Sequence, residues 1–150
     1  MSSGKITQNE ADKLLSMLKS SLVSQIIFPE LGGKEKFNVI GDTKKDIFDI
    51  EIYRGKINAL KYNMGAHIKQ NGIMLLELHI NPSSVHINPN GERIKGNHWH
   101  IYTEKYGRQQ AFSAENILSD KFKENAMEFL IKFNVVKQPE IKYQTEMILG

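Results

Sequence analysis

Alternation with a period of two constrains the fold of this chain more than any other feature. In IFDIEIY, residues 47–53, Phe48, Ile50 and Ile52 alternate with Asp49 and Glu51, as in a strand with one buried face. IMLLELHI (73–80) and HWHIY (98–102) follow the same rule. In the first, Met74, Leu76, Leu78 and Ile80 form an apolar set, with Leu75, Glu77 and His79 opposite. In the second, Trp99 and Ile101 belong with the apolar set, while His98, His100 and Tyr102 face the other way. KFNVIG and the weaker INALKYNM add further strands. Asn71-Gly72 reads as a type I′ hairpin turn, and Asn81-Pro82-Ser83-Ser84 and Asn88-Pro89-Asn90-Gly91 as proline-set turns.

Helical periodicity brackets these strands. Thr7 and Glu10 form a capping box, followed by Ala11, Leu14, Leu15, Leu18 and Leu22 at helical spacing. A short strand at QIIFPE and a turn at LGGK come next. Near the other end, Ser119 is placed to cap a helix with an apolar stripe of Phe122, Ala126, Phe129, Leu130 and Phe133. The tail NVVKQPEIKYQTEMIL reads as an extended segment packing back on the sheet. The expectation is one α+β domain over residues 1–150, a mostly antiparallel sheet flanked by an N-terminal and a C-terminal helix.

Composition removes several function classes. The 150 residues include no cysteine, which excludes thiol catalysis, disulfides and thiolate metal sites. The serines lie in caps, helix faces and turns, without a nucleophile elbow, and LGGK is not a phosphate-binding loop. MSSGKITQNEADK is polar, with no apolar signal core, and no window is apolar enough to span a bilayer. A cytoplasmic protein with no membrane partner is expected.

Charge and histidine converge on the middle of the chain. Between Arg54 and Gln110 there are eight basic residues (Arg54, Lys56, Lys61, Lys69, Arg93, Lys95, Lys105, Arg108) against three acidic ones (Glu77, Glu92, Glu104). All five histidines, at positions 67, 79, 86, 98 and 100, fall in the same span. Such a middle suits an anionic partner such as a nucleic-acid backbone, with Arg54, Lys56, Lys61, Arg93, Lys95 and Lys105 as contacts.

Three chemistries fit the histidines. His98 and His100 on one strand face can form an acid–base pair for RNA cleavage, with His79 and Tyr102 assisting and Arg108 steadying the phosphorane; no cofactor is then needed. Alternatively His98, His100 and Glu104, spaced as in the first half of a cupin motif, can chelate a divalent metal ion, with His79 or His86 completing the set. The plain reading is a polar strand face supporting binding loops.

The motifs Asn88-Pro89-Asn90-Gly91, His98-Trp99-His100-Ile101-Tyr102 and Tyr106-Gly107-Arg108 resemble those of an uncharacterised family of small bacterial and prophage proteins. Its pattern is Asn-Pro-Asp-Gly, His-x-His-Ile-Tyr and a Tyr-Gly-Asp-Lys-Trp-Ala-like tail; Asn90 and Arg108-Gln109-Gln110 depart from it. TQNEADKLLSMLK and FLIKFNVVKQPEI resemble the same family, so the likeness spans most of the chain. The clustered histidines are also similar to those of TumE-type toxins of toxin–antitoxin modules. That likeness implies RNA-directed toxicity with a cognate antitoxin, and together with the acid–base reading of His98 and His100 it gives the expectation of a mobile-element protein acting on RNA as a metal-independent endoribonuclease. The other expectation is a non-enzymatic phage inhibitor that binds a host defence protein, for example a CRISPR nuclease, through its basic surface.

Overall fold

A computed structural model of the chain describes residues 5–114 and 116–144. Its elements are α1 (Gln8–Ser16), β1 (Lys19–Ser21), β2 (Gln25–Ile27), β3 (Lys34–Ile40), β4 (Ile47–Arg54), β5 (Tyr62–Ile68), β6 (Met74–Ile80), β7 (Val85–Ile87), β8 (Arg93–Lys95), β9 (His98–Ile101), β10 (Ala111–Ser113), α2 (Phe122–Lys132), β11 (Val135–Lys137) and β12 (Glu140–Lys142). Eight strands make one sheet in the order β10-β9-β6-β5-β4-β3-β1-β11, antiparallel except for the β1–β11 pair. Two small sheets accompany it, β12 with β2 in parallel and the β7–β8 hairpin. The fold is α+β. Neither helix among the described residues is long and apolar enough to cross a membrane.

The alternating strands bury the expected face. Phe37, Val39, Phe48, Ile50, Ile52, Met64, Leu76, Leu78, Ile80 and Trp99 join one core with Ala11 and Leu14 of α1 and Ala126, Phe129 and Leu130 of α2. Trp99 stacks on Phe129, ring centroids 6.3 Å apart, and Phe48 meets Phe133 edge-on at 5.3 Å. Both helices thus supply side chains to the core beneath the sheet, and its other face is left to polar groups.

Several elements depart from the sequence expectation. The helix capped by Thr7, whose hydroxyl accepts the Glu10 amide at 3.1 Å, ends at Ser16. Leu18 and Leu22 lie beyond it and are exposed. The stop comes from Lys19, whose buried ammonium donates to the carbonyls of Leu15, Met17 and Phe133 at 3.2, 2.8 and 2.8 Å. Met17 and Phe133 are the C-caps of α1 and α2, so one amine serves the carbonyl ends of both helices, while burial pushes its pKa down to about 7. Ser119 does not cap α2, which begins after Lys121 without a side-chain cap; its hydroxyl instead receives Asn97 Nδ2 at 3.1 Å. The strand placed at INALKYNM begins only at Tyr62, and Ile57 is almost wholly exposed.

The Asn71-Gly72 hairpin forms, but only Gly72 takes a positive φ, 77°. Its amide bonds the Ile68 carbonyl at 2.8 Å, and the Asn71 side chain accepts the Ile73 amide at 3.0 Å, so the turn is longer than type I′. The tail is extended as expected through β11 and β12, and its residues 145–149 lie outside the described residues.

A bulge in β6 matters most for the site. The pairing of Ala66 with Leu76 and of His67 with Met74 leaves Leu75 as the extra residue. Leu75 therefore turns into the core, fully buried, contrary to the simple alternation. Met74 turns to the polar face, where its sulfur lies 3.1 Å from the place a Cβ on Gly65 would occupy. Side-chain alternation resumes at Leu76, which puts Glu77 and His79 on the polar face.

Candidate functional site

Two neighbouring strands build the site. β6 and β9 pair antiparallel with Glu77 opposite His100 and His79 opposite His98, so four polar side chains share one face. The ring centroids of His79, His98 and His100 lie 4.6–5.1 Å apart. One ring nitrogen from each of the three falls within 4.8 Å of the others. His98 and His100 are buried, His79 half-buried.

Loops on both sides of β9 fix the rings. His98 Nδ1 donates to the Gly96 carbonyl at 2.8 Å, and His100 Nδ1 to the Arg108 carbonyl at 2.7 Å. His79 Nε2 donates to Glu77 Oε1 at 3.0 Å. A carbonyl or carboxylate can only accept, so each bonded nitrogen carries a proton, and in a neutral ring the other nitrogen then has the lone pair. The free positions are Nε2 of His98, Nε2 of His100 and Nδ1 of His79.

Glu77 organises the cluster from beneath. It is 4% exposed and lies opposite Gly65 on its other side, a position with no side chain to compete for the space. Arg108 grips it with two nitrogens, Nε on Oε2 at 2.8 Å and Nη2 on Oε1. Burial alone would raise the Glu77 carboxyl, but the hydrogen bonds from His79 and Arg108 and the Arg108 charge outweigh it, holding the group below its ordinary value. Burial, with the neighbouring His79, pushes the His100 imidazole down to about 4, and burial lowers His98 as well. The carbonyls on their Nδ1 atoms oppose these shifts only in part.

The β7–β8 hairpin brings a further histidine to the group. His86 stacks on His98 at 5.5 Å and meets His100 edge-on at 4.9 Å, while its Nε2 donates to the Gln109 carbonyl at 2.9 Å. Asn88, 2% exposed, docks the hairpin on the edge strand β10: its Oδ1 accepts the Ala111 amide at 2.8 Å and its Nδ2 donates to the Ala111 carbonyl at 3.0 Å. The Asn-Pro-Asn-Gly turn is thus an anchor as well as a turn. The sequence hint was weak. Val85-His86-Ile87 and Arg93-Ile94-Lys95 are three-residue alternations, too short to read as strands.

Other expected site residues are placed elsewhere. Tyr102 follows the end of β9 and turns into the core; its hydroxyl receives the Ile6 amide at 3.0 Å and donates to the Ile6 carbonyl at 3.2 Å, which takes it out of the histidine face. Glu104 accepts the Gln8 amide at 2.9 Å at the start of α1, so the cupin-like set of His98, His100 and Glu104 does not assemble, and His79 takes the third place. Arg54 donates to the carbonyls of Pro29 and Ala59 and lies over the Phe122 ring at 4.4 Å, a structural post. Lys56 and Lys61 line an open cleft with Asn81 and Ser83, next to the hairpin's root. Arg93 and Lys95 are exposed on β8, on the side away from His86. Lys105 lies over Tyr106 at 5.1 Å.

Over residues 6–135 the sequence matches DUF6978, a family of unknown function. The chain belongs to that family. No curated protein and no solved structure matches it. The span matched to DUF6978 includes the four clustered histidines, Glu77, Arg108 and the Asn88 anchor.

Proposed function

We propose that the protein is a metal-dependent phosphodiesterase acting on RNA, with His79, His98 and His100 holding one divalent transition-metal ion. The observations that carry this reading are that one ring nitrogen from each of three imidazoles lies within 4.8 Å of the others, and that each ring has one nitrogen bonded to a carbonyl or carboxylate. Metal-binding imidazoles commonly donate their second nitrogen to a carbonyl or carboxylate in this way, and the Glu77–His79 pair is such an arrangement. An all-nitrogen set suits zinc, copper, nickel, cobalt or iron rather than magnesium or calcium. An ion held by these three imidazoles would supply an activated water as nucleophile near neutral pH.

The chain's own groups fit the rest. Arg108 holds Glu77, and through it His79, while its side chain stays 59% exposed beside the cluster, where a phosphate oxygen can meet the guanidinium. The excess of basic residues in the middle of the chain favours a polyanionic partner, although Lys56, Lys61, Arg93, Lys95 and Lys105 lie away from the histidine cluster and only Arg108 stands beside it. A metal-free His98–His100 acid–base pair has less support. A general acid must carry its proton at the working pH, and burial holds His100 near 4.

A second reading, a non-enzymatic inhibitor of a nucleic-acid-binding host defence protein such as a CRISPR nuclease, is favoured by one observation. The outward face of the β7–β8 hairpin pairs exposed Val85 and Ile87 with Lys95 and Arg93, a basic and apolar ribbon suited to a binding groove.

The test is cleavage of a labelled RNA by chelator-treated protein, with and without added zinc or cobalt, beside His100→Ala. The reading expects cleavage only after metal is restored, and none above background for the variant. Cleavage that persists in chelator would return the acid–base pair. No cleavage by metal-loaded wild type would overturn the RNA reading and favour the inhibitor.

A further inference from the structure

His86 has no place in a three-histidine site, yet it is held as carefully as the other three. Its Nε2 proton is committed to the Gln109 carbonyl, one residue along from the carbonyl that orients His100. That leaves Nδ1 as its lone-pair atom, the same condition as in the trio. Its ring packs against two of the three rings at centroid distances of 4.9 and 5.5 Å, similar to the spacings within the trio, although it is not part of the trio's group of ring nitrogens. The hairpin that carries it is fastened at both ends. Asn88 bonds β10 at the tip, and at the root the Gly96 amide donates to the Ser84 carbonyl at 2.8 Å while Ser84 Oγ donates to the Gly96 carbonyl at 3.1 Å. Gly96 also accepts the His98 proton, so the hairpin root and a ring of the trio share one peptide.

Stacked imidazoles alone do not require this arrangement. Four imidazoles packed together, each with one ring nitrogen held by a carbonyl or carboxylate, gain little from each other and much from a cation placed among them. Resting on the metal reading above, we propose that His86 is a fourth imidazole ligand to the same ion, and that metal binding therefore clamps the β7–β8 hairpin to the sheet. Four imidazoles bias the site further towards nitrogen-preferring ions, and a five-coordinate ion retains one position for water. The inference also assigns a purpose to the Asn88 anchor, which brings His86 close before any ion arrives and so lowers the ordering cost of binding.

The experiment uses zinc and cobalt(II) alone as probes, on wild type, His86→Ala and Lys95→Ala, the last being an outward-facing control on the same hairpin. Zinc affinity of His86→Ala should fall roughly tenfold or more with Lys95→Ala unchanged, and the visible spectrum of bound cobalt should change in His86→Ala only. Amide exchange across residues 85–95 should slow on zinc addition in wild type and not in His86→Ala. If His86→Ala binds zinc as tightly as wild type, with the same cobalt spectrum and the same hairpin protection, the fourth ligand is overturned while the trio stands. If wild type takes up no zinc or cobalt, trio and fourth ligand fall together.

Discussion

Glu77 is the residue on which the site turns, because it is buried, charged and shared. Its carboxylate accepts from His79 and from two nitrogens of Arg108, so both oxygens are occupied and the charge is balanced where it lies. Glu77→Gln keeps the shape but gives up the charge and one strong acceptor. Metal affinity should fall by about 10–100-fold, since outer partners of metal-binding imidazoles carry effects of that size. Calorimetric titration with zinc checks this, and an unchanged affinity would mean that Glu77 serves folding only.

The histidines also predict a pH dependence. An unfolded His100 titrates near its ordinary 6.5 and the folded one near 4. Between those values the unfolded chain binds more protons than the folded one, so stability is full above 6.5 and is lost as pH falls towards 4. His98 shifts in the same direction. Urea midpoints measured in chelator should drop between pH 7 and pH 5, and His100→Asn should flatten the drop. A wild-type midpoint that does not move would contradict the buried neutral cluster.

Elements, rather than single residues, decide which predicted groups meet. His98, His100 and His79 were legible in the sequence because β6 and β9 are regular where those residues sit, and alternation places side chains reliably on regular strands. Tyr102 and Leu75 were not, because one lies past the end of its strand and the other in a bulge, where alternation no longer holds. Glu104 could not be placed by spacing, since its partner Gln8 is 96 residues away. The hairpin was hidden by its brevity, and its docking by a side chain that imitates a strand. Asn88→Ala removes both bonds to Ala111 and should cost about 1–3 kcal/mol, with faster amide exchange in the hairpin. An unaltered hairpin would show that the backbone pairing of β7 with β8 suffices.

At the scale of the molecule, the sheet divides labour between its faces. One face carries the core, to which both helices contribute side chains and where α2 packs Phe129 under Trp99, the residue between the two site histidines of β9. The other carries the polar groups, with Asp49, His67 and Lys36 continuing the charged surface beside Glu77 on neighbouring strands. The apolar periodicities made this division readable in advance. Lys19 was not readable, because nothing in KSS announces a buried amine that closes two helices. Phe129→Ala should destabilise by about 3–5 kcal/mol through the cavity it leaves. Since the core under β9 also supports the histidines, zinc should recover part of that loss in a thermal melt. A zinc-dependent shift in wild type with none in Phe129→Ala would show that the core no longer supports the site, and no shift in either would contradict the metal reading.

The central claim is that three imidazoles on one sheet face bind a metal ion. The most direct measurement is metal content after equilibrium dialysis against zinc, by mass spectrometry, for wild type and the His98→Ala, His100→Ala double variant, with circular dichroism confirming that both are folded. The account predicts one zinc per wild-type chain and essentially none in the variant. A folded wild type without zinc, or a variant that retains as much as wild type, would contradict it.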